Sequence, residues 1–212
     1  MPIARDKNLI FVHIPKNAGE SIEKALGMYG GKPDETLWGA INKRTVLQHL
    51  TAPELKNRLA DDALWTRCTK FAVVRNPWSK AVSEYNWYLR YGEACSFRDW
   101  AFTLPERIAA NKTLRTLEIG HNIPQHRFIC DADGKLLIDR LLRFETITED
   151  FNAFMRELNL PVALEHDTAT ASHTKRAFQS YYDPETIELI GDIYDVDVTY
   201  FGYDRAETFP DL

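Results

Sequence analysis

The sequence predicts an α/β fold, a mostly parallel sheet flanked by helices, and three observations predict it. Leu9–Ile14 (LIFVHI) and Phe71–Val74 (FAVV) are β-branched and aromatic runs without polar alternation, as expected of strands covered on both faces. Each run is cut off by a loop, Pro15–Gly19 in the first case and Arg75–Pro77 in the second. Each loop is followed by apolar residues at helical spacing, and strands alternating with helices build parallel sheets.

The elements follow in order. Ser21 opens a helix along Ile22, Ala25 and Leu26. Thr51-Ala52-Pro53-Glu54 is a capping-box pattern leading into Leu55 and Leu59. After the second strand, Pro77 sits in the first turn of a helix whose inward stripe is Trp78, Val82, Tyr85 and Leu89. Leu136–Phe144 reads as a strand, and Thr148 as the cap of a helix with Phe151, Phe154, Met155 and Leu158 inward. Asp183-Pro184 starts a last helix carrying Ile187, Ile190 and Tyr194. The polar stretch Glu165–Ser172 reads as a loop, and no repeat or linker divides the chain, so one domain is expected over residues 1–212.

The chain has 212 residues, 44% apolar and 27% charged, enough for a full core and too apolar for a disordered chain. Its formal net charge of −5 argues against nucleic acid or long polyanions as partners, while leaving room for a local basic pocket. Cys68, Cys95 and Cys130 are widely spaced and odd in number, so free thiols in a reducing compartment are expected rather than disulfides or a zinc site. The longest apolar stretch near the start, Leu9–Val12, is too short for a signal core or a membrane span, and a cytoplasmic protein is expected.

Two segments fall at strand ends, where α/β folds bind ligands. In the first, His13-Ile14-Pro15-Lys16-Asn17-Ala18-Gly19-Glu20-Ser21, Gly19 lets the backbone approach a ligand and first-turn amides can face an anion. Lys16 adds a cation and Ser21 a hydroxyl. The lysine precedes the glycine and no G-K-[ST] follows, so the triphosphate machinery of the Walker pattern is missing. The plainer reading is a capped helix beside an exposed lysine. In the second segment, Arg75 ends a strand and can grip a phosphate in bidentate fashion, with Ser83 eight residues on. An ordinary strand-end arginine and a solvent-facing serine fit equally.

Together these segments resemble those of the sulfotransferases that use 3′-phosphoadenosine 5′-phosphosulfate (PAPS), in particular the carbohydrate-type branch called sulfotransferase family 2. HIPKNAGES is similar to that family's 5′-phosphosulfate loop and RNPWSKAVSEY to its 3′-phosphate motif. RFETITEDFNAFMRELNLP and YYDPETIELIGDIYDVDVTYFGYD resemble its later helices and closing Phe-Gly-Tyr, so the likeness runs over roughly residues 8 to 204. The resemblance implies a single P-loop-like sulfotransferase domain with PAPS as donor and a carbohydrate or small-molecule acceptor. Lys16, Asn17, Ala18, Gly19, Glu20, Ser21 and Ile22 would then hold the 5′-phosphosulfate, and Arg75 and Ser83 the 3′-phosphate. Lys175-Arg176 is the nearest match to a late basic segment over the nucleotide, and reads as well as a solvated loop pair.

Sulfuryl transfer needs in-line positioning, charge stabilisation on the leaving phosphate and removal of the acceptor proton. Lys16 suits the second task, and the low charge of a sulfuryl group makes a metal unnecessary. For the third, histidine titrates in the right range. Of the six histidines, His49 lies between the two anion segments, in a region resembling the one where related carbohydrate sulfotransferases carry their catalytic histidine. His13 reads as structural, His121, His126 and His173 as lesser candidates, and Glu20 as a carboxylate alternative. Trp87, Tyr88, Tyr91, His121, Asn122 and Gln125 are candidate acceptor contacts or ordinary core and surface residues. The acceptor is expected to be a neutral sugar, a lipid-linked glycan or a small hydroxylated metabolite. The rival readings are a kinase with an atypical phosphate loop and a non-catalytic nucleotide-binding protein.

Overall fold

The computed structural model describes residues 3–31, 37–42, 45–110, 120–164 and 177–210. In chain order its strands and helices are β1 (Ile3–Ala4), β2 (Leu9–Val12), α1 (Gly19–Ala25), β3 (Ala40–Asn42), β4 (Thr45–Val46), α2 (Ala52–Leu59), α3 (Asp62–Arg67), β5 (Thr69–Val74), α4 (Pro77–Tyr88), α5 (Phe97–Ala110), α6 (His126–Ile129), β6 (Arg140–Arg143), α7 (Ile147–Glu157), α8 (Pro184–Ile193), α9 (Asp195–Phe201) and α10 (Arg205–Thr208).

Apolar side chains on both faces commit β2 and β5 to the middle of the main sheet, which runs β1-β2-β5-β6. β2 pairs with β5 and β5 with β6 in parallel, and β1 lies antiparallel on the edge. One face presents Leu9, Phe11, Phe71, Val73 and Leu142 to Ile22 and Leu26 from the α1 side and to Phe151, Phe154 and Met155 of α7. The other presents Ile10, Val12, Ala72 and Val74 to Leu55 of α2, Leu64 and Trp65 of α3, and Phe128 and Ile129 of α6. A third cluster joins Trp78, Val82 and Tyr85 of α4 to Trp100 and Leu104 of α5 and to Ile187 and Ile190 of α8. The fold is therefore α/β with a mostly parallel sheet flanked by helices, as the strand and helix patterns predict.

Helix starts follow local chemistry. Thr51 and Glu54 close the expected capping box on α2. Asp183 closes another on α8, with Thr186 in the return position. Asn76 accepts from the amides of Trp78 and Ser79, and Pro77 begins α4 where no amide is needed.

Four expectations are corrected. α1 starts at Gly19 rather than Ser21, because Ala18 takes the left-handed conformation at φ 58° and turns the chain into the helix early. The strand predicted over Leu136–Phe144 contracts to β6. Before it, Leu136 bridges back to Cys130 across a turn in which the Asp131 carboxylate accepts from the amides of Asp133 and Lys135. Thr148 lies inside α7 and not at its cap, since a 3-10 turn over Phe144–Thr146 runs directly into the helix. Leu89 is exposed because α4 ends at Tyr88, one residue short of the fourth position of the stripe.

Cys68, Cys95 and Cys130 are free thiols. Among the described residues no helix is long and apolar enough to cross a membrane.

Phe71 sits at full burial between Phe11 of β2 and Phe151 and Phe154 of α7, with ring centroids 5.0, 6.4 and 5.3 Å away. Phe71→Ala is expected to cost about 3–5 kcal/mol in urea unfolding. A loss under about 1 kcal/mol would contradict this packing.

Candidate functional site

The loop after β2 is shaped from within. Asn17 is buried, and its Nδ2 donates to the Val73 carbonyl and to Gln125 Oε1, both at 2.7 Å. Lys16 and Ala18 on either side take positive φ, 66° and 58°, so the chain turns Asn17 inward while lifting Lys16 away. The amides of Ala18, Gly19, Glu20 and Ser21 then have no internal acceptor among the described residues, the usual condition of a first helical turn.

Gly19 is needed for a reason other than ligand approach. A Cβ there would lie 1.8 Å from Nε2 of His13. The buried imidazole of His13 fills that space, and its Nδ1 donates to the Glu23 carboxylate at 2.5 Å. Glu23 also accepts from Trp38 Nε1 at 2.8 Å. His13 is thus the mould of the loop.

The second segment is joined directly to the first. Arg75 Nη1 donates to the Lys16 carbonyl and Nε to Ser79 Oγ, both at 2.9 Å. The guanidinium lies 3.9 Å from the centroid of the Phe144 ring. Burial pulls its pKa down to about 10 against the opposing charges of Glu145 and Glu84, which leaves it cationic at neutral pH. Gln125 locks the junction: its Oε1 accepts from the Arg75 amide at 2.9 Å and its Nε2 donates to the Arg75 carbonyl at 2.8 Å. Ser79, one turn before Ser83 on α4, is the hydroxyl that Arg75 engages, and Ser83 follows it half-buried on the same face.

Beside the loop stand three imidazoles. His13 and His49 meet edge to face at 4.5 Å between centroids, and His49 and His121 at 5.3 Å. Each commits Nδ1 to an oxygen: His13 to Glu23, His49 to the His13 carbonyl at 3.2 Å, and His121 to Glu84 at 3.2 Å. A carbonyl only accepts, so Nδ1 of His49 carries the hydrogen and the lone pair of the neutral ring falls on Nε2. Burial, with His13 and His121 adding to it, holds the His49 pKa well below the ordinary histidine value. His49 is therefore neutral at pH 7. Lys16 stands on the same side, its Nζ 6.0 Å from the Trp87 ring, which itself packs 4.4 Å from His121. Burial lowers the lysine pKa, opposed by Glu84.

The structure sorts the other candidates. Ile22 is fully buried in the core and its amide donates to the carbonyl of Ala18, the cap of α1. Asn17 faces the interior rather than the loop mouth. Glu20 is exposed and pairs with Lys24 one turn on. His126 is held by Asp197. Gln125 and Asn122 are buried, Gln125 as the clamp described, whereas Tyr91 is 72% exposed. Lys175, Arg176 and His173 lie outside the described residues.

Sequence reasoning missed Ser79, Glu23 and Glu84. Ser79 and Ser83 four apart, and Lys80 and Glu84 four apart on the same helix, are the signals that were there to read for Ser79 and Glu84.

Next to Arg75 opens a cavity of about 520 Å³, walled in part by Ser79, Phe144, Phe178, Gln179 and Tyr203. Among the described residues no group of three or more His, Cys, Asp or Glu is placed to hold a metal ion.

A family model described as "Sulfotransferase family" matches residues 1–204. Comparisons with curated proteins and with solved structures gave no match.

The contact between residues 13 and 19 makes a coupled prediction. Gly19→Ala is expected to destabilise the protein by more than about 1 kcal/mol, and His13→Ala in the same chain to recover part of that loss. Purely additive losses in thermal unfolding would refute the contact.

Proposed function

The chain belongs to the sulfotransferase family, and from that premise we propose that this enzyme moves a sulfuryl group from PAPS to a hydroxyl of a carbohydrate or small hydroxylated acceptor. The observation that carries the donor assignment is the bond from the Arg75 guanidinium to the Lys16 carbonyl, which makes one continuous anion surface of the two segments.

The residues fit such a donor. The amides of Ala18 to Ser21 have no internal acceptor, and the Lys16 amine has no ion-pair partner among the described residues. Arg75 spends Nε and Nη1 on the protein and keeps Nη2 for a ligand. On this reading the loop amides, Lys16 and Ser21 hold the 5′-phosphosulfate, while Arg75 and Ser83, with Ser79 steadying the arginine, hold the 3′-phosphate. The neighbouring cavity, with the Phe144, Phe178 and Tyr203 rings and the Gln179 amide, suits the nucleoside. Lys175 and Arg176, the nearest match to the family's late basic segment, are proposed to add positive charge for the nucleotide.

PAPS brings an activated sulfuryl group, and the chain supplies charge and proton handling. Lys16 neutralises the charge that grows on the departing phosphate. His49 takes the acceptor proton on Nε2, while its Nδ1–H stays on the His13 carbonyl and keeps the ring from turning. The acceptor hydroxyl then needs no metal to activate it. Free thiols accord with a reducing, cytoplasmic setting.

Thermal shift with 3′,5′-adenosine bisphosphate against ATP-magnesium tests the donor, and stabilisation by the bisphosphate alone is expected. No shift with the bisphosphate, or a larger one with ATP-magnesium, would overturn this reading in favour of a kinase or a different ligand.

His49→Ala is expected to cut turnover by at least about 100-fold with bisphosphate affinity unchanged. The base works in its neutral form and its pKa lies below the ordinary value, so the acid limb of the rate profile should fall below pH 6.5. A limb at or above that value would assign the proton to another group.

A further inference from the structure

Lys80 and Glu84 form an ion pair in the middle of α4 with side chains 3% and 2% exposed. Burying two charges is costly unless their remaining bonds are met, and a well-packed apolar pair would usually do as well for stability. Here the remaining bonds lead in one direction. The Lys80 amine donates to Glu84 at 3.0 Å and to the His121 carbonyl at 2.7 Å, while the other Glu84 oxygen accepts from His121 Nδ1. His121 is thereby gripped at both backbone and ring. Its ring in turn packs against His49 on one side and Trp87 on another, and Lys16 lies over Trp87.

We propose that Glu84 is a positioning residue for sulfuryl transfer: it seats His121 between His49 and Trp87 and sets a buried negative charge behind the rings that Lys16 overlies. The proposal rests on the donor reading above, in which Lys16 meets the leaving phosphate.

The charges around the site make the case for Glu84 in particular. Among the described residues the charges that act most on Lys16 are Glu84, Lys80 and Arg90 from α4 and its end, and Arg75 from the end of β5. Glu84 is the one carboxylate in that set, against three cations. Burial works to raise the Glu84 pKa, but Lys80, His121 and Lys16 together hold it below the usual carboxylate value, so its charge is present at neutral pH. The Tyr194 phenol donates to the Asn122 carbonyl, and burial together with the Glu84 charge holds its pKa well above the ordinary value. Neutralising Glu84 while leaving Lys80, Arg75 and Arg90 in place would remove the one carboxylate of that set. Its proton would then come off at lower pH, and the alkaline limb of the transfer rate would move down with it.

The test reads Lys16 directly in the ligand-free protein, by 13Cε titration of lysine-labelled chains with the signal assigned from Lys16→Arg. Glu84→Gln is expected to lower the Lys16 midpoint by roughly one pH unit. Glu84→Asp, which keeps the charge, should restore most of it. The alkaline limb of turnover should shift in step with the midpoint. If Glu84→Gln fails to fold because Lys80 is left unpaired, Lys80→Met/Glu84→Gln is compared with Lys80→Met by the same measure. Equal midpoints with and without the carboxylate would overturn the role of Glu84, even if turnover falls, because a merely structural residue would move stability and not this titration. Failure of the wild-type protein to bind the bisphosphate would instead overturn the donor reading, and the transfer role of Glu84 with it.

Discussion

The arrangement depends on one side-chain amide. Gln125 pairs with both backbone groups of Arg75 and accepts from Asn17, so it extends the hydrogen bonding of the sheet past the end of β5 and ties it to the loop after β2. Its own amide is held by the buried Asp197, which also takes the amide and ring of His126. Without that clamp, Asn17 would have to satisfy a buried amide by other means, and the left-handed turns at Lys16 and Ala18 would lose what compensates their strain. The loop is therefore rigid by design of its interior, while its outward surface carries cations and unbonded amides. A loop held in this way would lose little entropy on binding the proposed anion.

Much of this was legible in the residues. Apolar runs without alternation marked β2 and β5, and turn chemistry placed Thr51, Pro77 and Asp183 at helix starts, because these signals are local. The lysine, arginine and histidine of the candidate site were also visible, since their types and order carry the resemblance. What stayed hidden was long-range. Asn17 reads as a ligand contact until Val73 and Gln125 are seen to draw it inward. Gly19 reads as a ligand-approach glycine, and nothing local shows the second demand on it, the His13 ring in the space a Cβ would take. The shortening of the strand at Leu136–Phe144 turns on the Cys130–Leu136 bridge, which no periodicity announces.

The same division explains the histidines. A spacing argument can place His49 between two anion segments, but the meaning of the ring depends on which nitrogen is bonded. The carbonyl of His13 settles that, and with it joins the residue that moulds the loop to the residue proposed to take the proton. A net charge of −5 gives no hint of this economy, in which the cations of the site are few, half-buried and individually placed.

The C-terminal segment adds a consequence of its own. The Asn76 side chain donates to Thr208, Arg143 to the Phe201 carbonyl, Tyr203 to Glu145, and the Phe209 ring packs against Trp78. Residues 201–209 thus brace the start of α4 from 132 positions away at Asn76, and the cavity wall at Arg143 and Glu145 from 58. One wall of the cavity therefore rests on a segment outside the sheet, so local opening of residues 201–209 would reshape the pocket while the pairing of β2, β5 and β6 persists.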